Sequence, residues 1–125
     1  DFEKLSAEAG LVWYDNFPEA LAVAQKTQKL LFLDFTGYTC VNCRWMEKSV
    51  FAKQEVLKVF QKEFVLAQLY TDGGAFQEAN QELQMERFNT LALPFYVVLN
   101  ANDQEIRRHA GVIPDAKDFL TFLKF

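Results

Sequence analysis

The chain contains two cysteines, Cys40 and Cys43, three positions apart. A dithiol at this spacing can close to a disulfide and reopen by thiol–disulfide exchange. The apolar pattern turns helical from Val41: Cys43, Met46, Val50 and Phe51 recur at steps of three and four. Cys40 therefore falls at a helix N-terminus, where unpaired N–H groups and the helix dipole favour a thiolate. Cys43 lies one turn in. Cys40 can attack the disulfide of another protein, and Cys43 can resolve the mixed disulfide that forms. Two other readings stay open. Half of a zinc site needs further ligands, and with His109 the only histidine these would have to be carboxylates. A structural clasp closes so short a loop that it constrains the unfolded chain little.

Three residues around the pair are candidates for assisting it. Asp34 interrupts the apolar run Leu30-Leu31-Phe32-Leu33-Asp34-Phe35, six residues before Cys40. A carboxylate buried there is costly, so it stays protonated or finds a partner. That position can put Asp34 beneath the dithiol as the proton acceptor for Cys43. If the strand stops at Leu33, Asp34 caps a loop instead. Glu47 follows Cys43 by four and shares its helical face. There it either raises a neighbouring pKa by charge repulsion or sits in solvent paired with a Lys or Arg. Pro94 opens a strand in which it cannot donate to the ladder, which a cis Leu93–Pro94 bond would explain and a trans turn proline would also allow. Trp13, Tyr38, Trp45 and Phe95 are aromatic candidates for the surface around the dithiol. His109 lies in an expected edge strand, packed or facing solvent.

The elements that must hold these residues alternate. Asp1 to Gly10 reads as a polar lead-in and Leu11 to Tyr14 as a short strand. Asp15-Asn16 offers caps and Pro18 a first turn for a helix to about Gln28. Leu30 to Phe35 is a run buried on both faces of a sheet. After the loop 36–39 comes the Cys40 helix, then a short helix from Gln54 to Lys62 and a strand from Phe64 to Tyr70. Asp72-Gly73-Gly74 is a turn. Ala75 to Phe88 is a helix ending near Asn89, which tolerates the left-handed conformation. Phe95 to Leu99 and Glu105 to Ala110 form a hairpin, with Gly111 a candidate bulge. Pro114 begins a last helix. The order β-α-β-α-β-α-β-β-α predicts an α/β fold with parallel early strands and an antiparallel edge.

Composition narrows the function classes. With 125 residues and 50% hydrophobic content, including 13 phenylalanines, a single domain over 1–125 can form a core unaided by staples. Thirteen basic against 17 acidic residues give a net charge of −4 and no basic stripe, which argues against nucleic acid as partner. No apolar run reaches the ~20 residues of a membrane span. The polar start Asp1-Phe2-Glu3-Lys4 is not a signal peptide.

The combination resembles the thioredoxin superfamily, through Leu33-Asp34-Phe35, Cys40-Val41-Asn42-Cys43, Leu69-Tyr70-Thr71-Asp72, Leu93-Pro94-Phe95 and Gly111 before the last helix. The resemblance implies a thioredoxin fold carrying an N-terminal strand–helix extension. It implies Cys40 as exposed nucleophile, Cys43 as buried partner, Asp34 as buried acid and a cis Leu93–Pro94 bond. The stretch from Asp34 to Glu47 and Pro94-Phe95-Tyr96-Val97 are similar to the C-terminal domains of DsbD-type thiol:disulfide interchange proteins, Bacteroidetes-type members above all. In that group an acid follows the second cysteine, and Glu47 occupies its place. The resemblance further implies a protein-disulfide reductase that needs no cofactor beyond its own disulfide. Its expected partners are protein dithiols and disulfides, namely a transmembrane domain that supplies electrons and a periplasmic acceptor domain. Tyr38, Thr39, Val41, Asn42, Leu93, Pro94 and Phe95 are the expected partner-contacting residues. The expected setting is the periplasm, as a soluble, monomeric domain of a membrane protein. Thr39 departs from the tryptophan most thioredoxins carry before the first cysteine, and 73–88 matches weakly. The rivals are an oxidant or isomerase on the same fold and a non-catalytic interaction domain whose dithiol is a clasp.

Overall fold

The computed structural model describes residues 1–124. Five strands form one sheet in the order β1-β3-β2-β4-β5: β1 (Trp13–Tyr14), β2 (Leu30–Thr36), β3 (Phe64–Tyr70), β4 (Phe95–Leu99) and β5 (Glu105–Ala110). β1 and β2 both pair parallel with β3, while β4 runs antiparallel to β2 and β5 antiparallel to β4. β2 is thus central, and every residue from Leu31 to Thr36 is buried, as its unbroken apolar run requires.

Six α-helices cover the sheet: α1 (Phe2–Glu8), α2 (Phe17–Thr27), α3 (Val41–Met46), α4 (Gln54–Glu63), α5 (Gln77–Phe88) and α6 (Ala116–Leu123). The Asn16 side chain caps α2 by accepting from the Glu19 N–H at 3.0 Å, and Asp115 caps α6. α2 and α5 end on Gln28 and Asn89 in the left-handed conformation.

Several features differ from the sequence expectation, among them helix starts at Gln77 and Ala116 rather than Ala75 and Pro114. The lead-in is a helix, α1, capped by Asp1 and anchored by buried Phe2, so the extension is helix–strand–helix rather than strand–helix. Its strand β1 has two residues instead of four. Gly111 carries φ +93°, but the register shift lies at Val98/Leu99, and Gly111 N–H instead donates to the Pro94 carbonyl at 2.8 Å. The sequence also gave no sign that α3 continues as a π-helical turn over Glu47–Phe51.

The strand alternation sorts the core into two layers. Leu31, Leu33 and Phe35 pack under α2 and α5 with Phe88, Phe95 and Val97. Phe32 and the Asp34 position face the other layer, where an aromatic cluster fills the space beneath α1, the π turn, α4 and α6. Phe32 lies at its centre, with ring centroids 5.2 Å from Phe60, 5.5 Å from Tyr96, 5.9 Å from Phe119 and 6.0 Å from Phe51. Such close edge and offset contacts add to the area term, so this cluster sets the platform on which α3 rests. Phe32→Ala is expected to cost about 3–5 kcal/mol, measured as a loss in urea-unfolding free energy. A loss below about 1 kcal/mol would show that the cluster is not the platform.

Candidate active site

Cys40 is the N-cap of α3 and is disulfide-bonded to Cys43, with Cα atoms 5.2 Å apart. The Cys43 N–H donates to Cys40 Sγ at 3.2 Å. A backbone donor thus points at the first sulfur, where it would favour a thiolate once the disulfide opens. Cys40 is half-buried, whereas Cys43 is only 2% exposed. The two sulfur-bearing residues thus differ in their access to solvent.

Four polar side chains on β2, β3 and the α3 segment interact with one another: Asp34 and Glu47 are buried, Arg44 and Gln68 half-buried. Asp34 sits inside β2, is 2% exposed, and faces Gln68 of β3 in register. Its Oδ1 has no hydrogen-bond partner. Glu47, also buried, accepts from Arg44 Nη2 at 2.6 Å and from Gln68 Nε2 at 3.2 Å. Arg44 Nη2 donates as well to Thr36 Oγ1 at 3.0 Å, and its guanidinium lies 5.6 Å from the Tyr70 ring centre. Burial first, and then the charge of Glu47, push Asp34 up to about 8, against smaller opposing pulls from Gln68 and Arg44. Burial raises Glu47 too, although Arg44 and Gln68 restrain it. Asp34 is therefore poised to hold or accept a proton near neutral pH. The strand does not end at Leu33, and Glu47 is not solvated: its partner is Arg44, within this group.

A second set of contacts holds the loop before Cys40. The exposed Asp72 carboxylate accepts from the Tyr38 N–H at 2.8 Å, the Thr39 N–H at 3.2 Å and the Thr39 hydroxyl at 3.1 Å. Those donors hold it below the usual carboxylate range. Gly37 makes the approach possible: a Cβ there would stand 3.0 Å from Asp72 Oδ2 and 3.3 Å from Leu93 Cδ1. The Tyr38 ring stacks on Tyr70 with centroids 3.9 Å apart and closes over Gly73 and Gly74.

Leu93–Pro94 is cis. Leu93 is half-buried and Pro94 buried. Around the dithiol, Tyr38, Thr39, Val41 and Asn42 are exposed, Val41 at 79%, and Trp45 adds a face exposed at 41%. Phe95 does not join that surface. Its ring is buried between Phe35 and Phe88, at 5.8 and 5.7 Å, because β4 is covered on both sides. Trp13 also leaves the set: it stacks on Phe51 in the aromatic layer at 6.2 Å. His109 is half-buried, with Nε2 3.3 Å from the Val112 carbonyl. Among the described residues no cluster of His, Cys, Asp and Glu could hold a metal.

Sequence reasoning missed Arg44, Gln68, Tyr70 and the part played by Asp72. For Gln68 a signal existed: it is the one polar residue in the run Phe64 to Tyr70, as Asp34 is in its own. Nothing local links Asp72 to a loop 33 residues away.

Two predictions follow from these contacts. A carboxyl whose folded pKa exceeds its unfolded value costs stability as pH rises between the two. The oxidised protein is therefore expected to lose a few kcal/mol between pH 4 and about 8, and Asp34→Asn should flatten that slope. Urea unfolding at several pH values reads it, and an unchanged slope in the variant would refute the assignment. Asp72→Ala is expected to raise amide exchange at Tyr38 and Thr39 on the order of tenfold by NMR, leaving β-strand amides unaffected. The wild-type clamp should likewise loosen in acid, as pH falls through the lowered pKa of Asp72. Wild-type exchange rates in the variant would refute the clamp.

The comparisons with known proteins agree with this geometry. A model of the thioredoxin-like family matches residues 12–101. The thiol:disulfide interchange protein DsbD 2 of Pseudomonas aeruginosa is 34% identical over 102 residues, which cover 80% of this chain but only 16% of that protein. A thioredoxin from Thermus thermophilus superposes with a TM-score of 0.76 at 29% identity, over 91% of this chain and 85% of the other. The reduced C-terminal domain of Neisseria meningitidis DsbD superposes with a TM-score of 0.69 over 86% and 90% of the two chains, a likeness of fold at 17% identity. With its five-stranded mixed sheet, its Cys-x-x-Cys disulfide at a helix start and this match, the chain belongs to the thioredoxin-like family.

Proposed function

We propose that this chain is a thiol–disulfide oxidoreductase that acts as a reductant relay between protein dithiols and protein disulfides. The observation that carries the reading is the Cys40–Cys43 disulfide at the start of α3, in a chain whose central strand also buries a carboxyl with one oxygen, Asp34 Oδ1, left without a hydrogen-bond partner. A structural clasp needs no such group, and leaving one buried is expensive. In the reduced protein the Cys40 thiolate attacks a sulfur of the partner's disulfide, and one partner thiolate leaves. Cys43 gives up its proton towards Asp34 through water and attacks Cys40 Sγ. The second partner thiolate leaves, and the Cys40–Cys43 disulfide forms. Two electrons have passed to the partner, and another protein dithiol restores the pair. Glu47 raises Asp34 by its charge and so keeps it a competent base near neutral pH.

Tyr38, Val41, Asn42 and the Leu93–Pro94 loop are the surface that a partner meets, with Trp45 beside them. The similarity to DsbD 2 supports a periplasmic setting, electrons received from a membrane-embedded dithiol, and delivery to a periplasmic acceptor. The chain spans about a sixth of that relative's length, 16%, so these are roles proposed for a piece of such an assembly. No described helix is long and apolar enough to cross a membrane.

Cys40→Ser is expected to abolish reduction of an insulin disulfide, and Cys43→Ser to accumulate a mixed disulfide visible on a non-reducing gel. Activity of Cys40→Ser at the wild-type rate would overturn the mechanism. Equilibration with glutathione tests the direction of electron flow: a potential above about −150 mV would mark an oxidant instead of a reductant.

A further inference from the structure

Cys43 must lose a proton at the moment its surroundings are most closed. It is 2% exposed even in the free protein, and the partner held on Cys40 then covers the dithiol face. Asp34, which takes the proton, is equally buried. The proton needs a way out that does not cross the docking face.

The structure has such a route on the flank. A cleft of about 180 Å³ opens between α1, β1 and β3. Its walls include Glu3, Ser6 and Ala7 of α1 and Trp13 of β1, and its floor includes Glu47 and Gln68. Neither cysteine lines it, nor does any of Tyr38, Val41, Asn42, Leu93 and Pro94. The space accommodates several waters and offers them polar partners on floor and walls. Gln68 joins the floor to Asp34: its amide donates to Glu47 and it stands in register with Asp34. The groups facing Glu47 are Arg44 on its own helix, Gln68 and Tyr70 on β3, Asp34 on β2, Tyr96 on β4 and Glu3 on α1. Arg44 is engaged by Thr36 and Glu47 and does not line the cleft, whereas the Glu47 residue does. The wall α1 lies outside the residues matched by the thioredoxin-like family, 12–101, so this side of the passage belongs to the chain's own extension.

We propose that the cleft beneath α1 is a proton passage, through which the Cys43 proton travels from Asp34 by way of Glu47 to solvent while a partner occupies the dithiol face. The inference rests on the dithiol reading above and adds a route to it. When Cys43 attacks, its proton moves to Asp34. Asp34 returns it through water to the Glu47 carboxylate, and Glu47 releases it to water in the cleft. The step runs from the ionised form of Asp34, which grows as pH rises towards about 8; both carboxyls then end as they began, and the solvent gains one proton. Glu47 is here a relay, Gln68 a positioning residue, and α1 the wall that keeps the channel narrow.

Ala7 gives access to a test, being exposed on α1 and part of the cleft wall. The reduced full chain is mixed in a stopped flow with a protein whose single cysteine carries a thionitrobenzoate mixed disulfide. Thionitrobenzoate is released in a first phase when Cys40 attacks and takes up the protein, and acid-quenched samples on a non-reducing gel follow the second phase, in which Cys43 resolves the mixed disulfide and frees that protein. Ala7→Trp, which fills the cleft, is expected to slow the second phase on the order of tenfold while the first keeps its rate. Ala7→Leu should give the same pattern at smaller size, and serves if tryptophan displaces the helix as judged by circular dichroism. A folded variant with the cleft filled and both phases at wild-type rates overturns the passage. If wild type itself shows no second phase, the dithiol reading fails instead, and the two failures are distinct.

Discussion

The structure turns on one unfavourable group, the Asp34 carboxyl in the middle of the central strand. A carboxylate in that position is almost wholly withdrawn from bulk solvent and lacks a full set of protein partners, Oδ1 having none. Desolvation outweighs the help of Gln68 and Arg44, so the proton stays on until near-neutral pH. On the proposed function, stability is given up where a proton is taken and returned. The aromatic layer around Phe32 and the Leu31–Leu33–Phe35 layer opposite make that loss tolerable, because both pack on the same strand.

Around this group the molecule divides its labour between buried and exposed charge. Buried Glu47 and Thr36, with half-buried Arg44 and Gln68, form a hydrogen-bonded set whose charges act on Asp34. Breaking one member would leave an uncompensated buried charge, which is why such a network acts as a unit. Asp72, fully exposed, has the opposite task. It orders the loop that delivers Cys40, through backbone donors that water would otherwise satisfy, and Gly37 supplies the clearance. Arg44 and Tyr70 connect the two sets, since Tyr70 carries both the Tyr38 stack and the Arg44 guanidinium.

Much of the fold was legible because its signals are local. A run buried on both faces reads as a central strand, Asn16 and Pro18 open α2, and Asn89 closes α5. The cysteine spacing and the change to helical periodicity at Val41 located the reactive pair. Less legible were features whose cause lies elsewhere in the chain. α1 carries few apolar residues of its own and is held by Phe2 packing at 5.8 Å against Trp13 and 5.9 Å against Phe51. Phe95 stands next to the cis proline in sequence yet points into the core, since strand alternation turns its side chain inward.

The sequence by itself determined which atoms can do chemistry here: two sulfurs one helical turn apart, an acid in an apolar strand, and an acid one turn after the second sulfur. Those are matters of residue type and short spacing, and periodicity reads them. Tertiary structure decided what the groups are for. Gln68 reaches Glu47 from a strand 21 positions away, Asp72 reaches Tyr38 across 34, and α1 folds back to wall a cleft that ends on both Glu47 and Gln68. Burial, and with it the proton affinity of Asp34, depends on everything packed around the group rather than on its neighbours in the chain.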